Sequence, residues 1–163
     1  MALLLPQQSE VLFAYSVLAD LAPGYTAFND HQAYYNTHGQ AGYESALNSI
    51  FAGYTNAQLG ASLLANTGLG GIFTAADAEA YVASHASNRA GAMIAIANAL
   101  YYYAGTDAAL LAAHDAYVTR IDASYAYSAT SNNTSSADLD GLASTADTFT
   151  LTHSTDTATA NIF

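Results

Sequence analysis

The chain has no cysteine, no lysine and no tryptophan, and its only basic residues are Arg89 and Arg120. Without cysteine there is no disulfide scaffold, no thiol nucleophile and none of the thiolate ligands that common structural zinc sites use. Two arginines against 13 acidic residues give a net charge of −11 and a pI near 4.2. That balance lacks the basic footprint that nucleic acid binding requires, and an anionic membrane surface would repel it. Long apolar runs are missing too. The Ala-rich stretch AGAMIAIANALYYYAG is bounded by Arg89 and Asp107 before it could span a bilayer. At the start, MALLLPQQSE has no positive n-region and Pro6 ends its apolar run early, so export through a conventional signal peptide is not expected.

What is present points to a folded helical body. A length of 163 residues suits one domain. With 52% hydrophobic and 9% charged residues, the composition is not that of a disordered chain. Much of the apolar content is Ala and Tyr, which predicts a thin, mostly α core in a single compact domain of about six to seven helices.

Periodicity and punctuation place those helices. Residues 8–20 set Val11, Leu12, Tyr15, Leu18 and Ala19 on one face, and Ala22-Pro23-Gly24 stops them. A second helix over 26–36 closes at Thr37-His38-Gly39, a third covers 43–52, and a fourth over 56–66 ends at Gly68. Thr74 with Asp77 forms a capping-box start for a helix to about His85. Ser87 or Asn88 caps the next, through Tyr103, and Asp107 opens the longest, to about Thr130. Residues 131–146 read as a polar hinge. Residues 147–163 read as an extended inter-subunit segment in which Phe149 and Leu151 share one face of a lone strand that the helical body offers no sheet to complete.

Signals for catalysis are thin. There is no GxSxG, no P-loop, and Gly68-Leu69-Gly70-Gly71 follows a helix rather than a strand, so the chain is not expected to be an enzyme. His31 and His38 are seven apart, whereas chelation from one helix wants three or four, so they read as surface histidines rather than a metal or haem site. His85, His114 and His153 read as packing or capping residues. Asp138-Leu139-Asp140-Gly141 with Asp147 has the flavour of a calcium loop without the EF-hand register, which makes Asp138, Asp140 and Asp147 the candidate metal ligands and calcium the candidate ion. The 13 tyrosines are the more unusual feature. Consecutive helical residues turn by about 100°, so Tyr101, Tyr102 and Tyr103 cannot all point inward, and part of that cluster is a candidate interface.

Two stretches carry a family resemblance. NRAGAMIAIANALYYYAGTDAALLAAHDAYVTRIDASYAYSAT, followed by DLDGLASTADTFTLTHSTDTATANIF, resembles the N-terminal helical module of proteobacterial surface-layer and RTX-type proteins exported by type I secretion. Those modules end in an F-T-L-T-x-G-x-D-x-x-x-G-T segment leading into calcium-binding β-repeats. Phe149, Thr150, Leu151, Thr152 and Asp156 match it, while His153 and Ser154 replace its x-G pair and the closing Gly-Thr and the repeats do not occur. The resemblance implies export without an N-terminal signal, calcium dependence, a location on the bacterial cell surface, attachment to surface polysaccharide and assembly into a layer or filament. The expectation is therefore an extracellular structural protein that self-assembles. The alternative is a small secreted protein binding polysaccharide, metal or haem. Assembly predicts tyrosines buried by neighbouring copies, whereas a binding protein predicts a closed pocket lined by several of them.

Overall fold

The computed structural model describes residues 1–142. Among them are six α-helices, one short 3-10 turn and two two-residue strands: α1 (Pro6–Ala19), β1 (Leu21–Ala22), α2 (Tyr25–Ile50), α3 (Asn56–Thr67), the 3-10 turn (Leu69–Gly71), α4 (Ala75–Ser84), α5 (Arg89–Tyr101), α6 (Ala108–Ser128) and β2 (Ala137–Asp138). The fold is mostly α and forms one small domain, as the composition predicts.

The organising element is α1. Pro6 opens it from the first-turn position, where no N–H is needed. Its Glu10, Val11, Leu12, Phe13, Ala14, Ser16, Val17 and Leu18 are all buried, so it is enclosed on every side by α2, α3, α5 and α6. The single apolar face expected of this helix is therefore too narrow a description, and Ala19, assigned to that face, is exposed. The core gathers around it from Phe28, Tyr43, Leu47, Leu59, Leu63, Val82, Met93, Ile94, Tyr101, Tyr117 and Ile121.

Several starts and stops follow the expected chemistry. Thr55 and Gln58 cap α3 reciprocally at 3.1 and 2.9 Å, Thr74 and Asp77 do the same for α4, and Asn88 and Asp107 cap α5 and α6. Gly68 ends α3 at φ 73°. Gly39, at φ 70° and ψ 176°, is non-helical and divides α2 into two helical arms that meet across a kink, the first ending where the sequence places a stop. Gly60 has a packing role: a Cβ there would lie 2.8 Å from the Glu79 amide nitrogen, so its absence lets α3 and α4 cross backbone to side.

The stretch after α6, whose polarity suggests a hinge, is fastened to the body as far as it is described. The Tyr25 amide donates to the Asn133 carbonyl at 2.6 Å, and the Tyr127 hydroxyl donates to the Ser135 carbonyl at 2.8 Å. β2 then pairs antiparallel with β1, Leu21 opposite Asp138 and Ala22 opposite Ala137, and Leu139 is fully buried. The helical body thus does hold a small sheet, formed by its own chain. Among the described residues no helix is long and apolar enough to cross a membrane.

Candidate functional site

The three tyrosines at the end of α5 divide three ways. Tyr101 is 0% exposed, with its ring 5.3 Å from that of Phe13 and its hydroxyl 2.8 Å from Asp122 Oδ1. Tyr102 is 49% exposed. Tyr103 folds over Gly105, and its hydroxyl accepts from the Asp107 amide at 3.3 Å. Only Tyr102 of the three offers a largely free ring. Tyr101 belongs to the core, where it helps hold the N-terminal segment, since Asp122 also receives the Ala2 amide and the Met1 amine, each at 2.8 Å.

Asp138 and Asp140 are both committed locally. Asp138 accepts from the Gly141 amide at 2.9 Å, and Asp140 pairs with Arg120 at 3.1 Å. Among the described residues no group of three or more His, Asp or Glu side chains is placed to hold a metal. Phe149, Leu151 and Asp147, with the expected strand and inter-subunit segment, lie outside the described residues. Of the histidines, His31 sits between Tyr15 (3.3 Å) and Tyr43 (2.9 Å), so both ring nitrogens are engaged, and burial lowers its pKa against the opposing pull of Asp30. His38 stacks on Tyr34 at 4.2 Å, and His85 and His114 reach the Tyr81 and Leu100 carbonyls at 2.8 Å.

A second arrangement escaped the sequence entirely. Glu10 of α1 and Glu44 of α2 are each 8% exposed and lie within hydrogen-bonding reach of one another. Glu44 accepts from Gln40 Nε2 at 2.8 Å and from Asn88 Nδ2. Asn88 Oδ1 in turn accepts from the Gly91 amide at 3.2 Å and from Asn48 Nδ2 at 2.7 Å, while Asn48 Oδ1 accepts from the Ala90 amide at 2.9 Å. A Cβ at Gly91 would collide with both the Glu44 carboxylate and the Asn88 amide, so glycine is required for the seam to close. Burial first, and then the neighbouring Glu44, push the Glu10 pKa up to about 7. Burial likewise raises the Tyr43 hydroxyl pKa, with Tyr15 and Glu10 adding to it. Nothing in the spacing of residues 10, 44 and 88 signals this meeting; the one available hint was the single Glu of α1, set directly before the apolar run Val11-Leu12-Phe13-Ala14.

Both arginines are used internally. Arg89 donates to the Tyr54, Phe51 and Ala52 carbonyls at 2.7, 3.2 and 3.4 Å, around the end of α2. Arg120 binds Asp20, Asp140 and the Asn66 carbonyl. The guanidinium charges are thus turned to carbonyls and carboxylates of the fold itself.

The surface carries apolar features instead. An open groove of about 330 Å³ runs between α3, α4 and α5, lined by Leu63, Leu64, Leu69, Phe73, Tyr81 and Ile96 with Asp77 at its edge. A recess of about 200 Å³ extends it toward Tyr103 and Leu110, sharing Leu69, Phe73 and Ile96. Two further recesses, about 240 and 300 Å³, share His31, Leu47 and Ile50. Elsewhere on the surface Leu3 is 100% exposed, with Leu5, Tyr54 and Leu111 also exposed, and of the groove residues Ile50 is 66% exposed and Phe73 45%. These are open grooves rather than an enclosed chamber lined by several tyrosines. No protein-family model, curated protein or solved structure matches the chain.

Proposed function

We propose that this protein is an extracellular structural component that self-assembles into a surface layer or filament, and that it acts by association rather than catalysis. The observation that carries this reading is the exposed apolar surface: fully exposed Leu3, largely exposed Ile50, and an open groove lined mainly by Leu63, Leu64, Leu69, Phe73, Tyr81 and Ile96. Such surface is costly to leave in water and is covered when copies pack together. The charge distribution adds a condition. With Arg89 and Arg120 engaged inside each molecule, neighbouring copies bring together acidic surfaces and no free guanidinium to offset them. Calcium is the natural counter-charge, and surface polysaccharide is the attachment that fits an exported layer protein with exposed tyrosine rings.

The test is light scattering and electron microscopy of the purified protein at low ionic strength, with and without millimolar calcium. Ordered assemblies that form with calcium and disperse on chelation support the reading. A protein that stays monomeric across calcium, pH and concentration refutes it. Assemblies indifferent to prolonged chelation would keep the structural role and remove calcium from it.

A further inference from the structure

We propose that Glu10 and Glu44 form a proton-operated latch between α1 and α2, in which one proton shared by two buried carboxylates holds the helices together and its loss as pH rises loosens them. The hydrogen-bond network assigns the proton. Asn88 Oδ1 is committed as acceptor to the Gly91 amide at the start of α5, so its Nδ2 must face Glu44. Gln40 Nε2 also donates to Glu44, so each of the Glu44 carboxyl oxygens already accepts a hydrogen bond and Glu44 is the accepting partner of the pair. Glu10 has no such donor: its Oε1 is buried without a hydrogen-bond partner among the described residues. The pair is stable only with Glu10 protonated and donating to Glu44. Two ionised carboxylates within hydrogen-bonding reach of one another, each 8% exposed, would repel with little water to screen them.

The surroundings supply no cation to take the proton's place. From α2, Tyr35, Tyr43 and, beyond Tyr43, His31 face the pair, with Asp30 acting on His31; from α1 comes Tyr15. From α5 comes neutral Asn88, while the adjacent Arg89 is turned away to the carbonyls ending α2. The α3 sequence NAQLGASLLANT has no titratable side chain. On α6, Arg120 engages Asp20, Asp122 engages Met1, and Tyr117 packs on Phe13. The latch ties three helices, because Asn88 and Asn48 link Glu44 by hydrogen bonds to the first turn of α5.

Glu10 holds its proton in the folded chain after the unfolded chain has lost it, so its stabilising contribution is whole below about pH 4.5 and is lost as pH rises through about 7. Buried, neutral His31 works in the opposite sense, destabilising the fold as pH falls, so the comparison must be made between variants. The full chain contains only three glutamates, Glu10, Glu44 and exposed Glu79, so carboxyl-labelled glutamate gives three carbon resonances. One of them is expected to titrate near pH 7 and to vanish in Glu10→Gln. Between pH 5 and pH 8 the wild-type Tm is expected to drop by on the order of 5 °C relative to Glu10→Gln. If Glu10→Gln fails to fold, the wild-type resonances decide alone. All three carboxyls titrating in the ordinary range, a variant that keeps the wild-type slope, or a near-neutral titration abolished by millimolar calcium would each overturn the proposal.

Discussion

Two seams of this molecule engage carboxylates, one at the surface and one in the interior, and they solve the charge problem differently. At the α1–α6 seam, Arg120 meets Asp20 and Asp140 and also covers the Asn66 carbonyl, so anion is matched by cation. At the α1–α2–α5 seam, Glu10 and Glu44 meet each other, and amides and a proton do the matching. In a chain with two arginines and no lysine, the first solution can be used only sparingly. The contrast teaches that charge scarcity need not leave a core apolar: it substitutes a seam closed by amides and a proton for one closed by an ion pair.

The strongest way to break the comparison is Arg120→Ala. It strips Asp20 of its partner at a left-handed position, φ 57°, unties Asp140 beside β2, and removes the largely buried Arg120 stem and the donor to the Asn66 carbonyl, at a cost of about 2–3 kcal/mol that comes mainly from the last two because both carboxylates are partly exposed. Urea denaturation should give a lower midpoint, and exchange of the Leu139 amide, which donates to Asp20 at 3.4 Å, should accelerate. Gly91→Ala attacks the other seam by placing a methyl group against Glu44 and Asn88, with an expected loss of about 2 kcal/mol. That loss should appear as a shifted thermal midpoint with secondary structure retained. The smallest effect should come from Thr55→Ala, which removes a helix cap remote from both seams at a cost of about 1 kcal/mol and with no change in pH dependence. A pH-dependent loss in Thr55→Ala would show that the sensitivity is spread through the fold rather than lodged at the Glu pair.

Much of the helical architecture was legible because its signals are local. Thr55, Thr74, Asn88 and Asp107 announce helix starts within four residues of the groups they cap. The break at Gly39 was legible for the same local reason, since glycine takes the positive φ there without strain, although the second arm starts closer to it than the spacing of apolar residues suggests. The strap after α6 reads as a hinge in sequence, whereas its residues are held by contacts more than 100 positions away, such as Tyr25 to Asn133 and Leu21 opposite Asp138. Tyr101, Tyr102 and Tyr103 were rightly expected to divide between inside and outside, yet which ring went in was decided by Phe13 and Asp122, far off in sequence. The Glu10–Glu44 seam was beyond reach for the same reason.

The placement of the two arginines also governs how this chain meets proteases. Trypsin cuts only after lysine and arginine, and here that leaves the bonds following Arg89 and Arg120, both within helices and both with engaged side chains. Neither bond can enter a protease cleft in extended form until α5 or α6 opens. Digestion should then follow the population of the opened chain rather than surface accessibility, and cleavage at the two bonds can be compared to ask which helix lets go first.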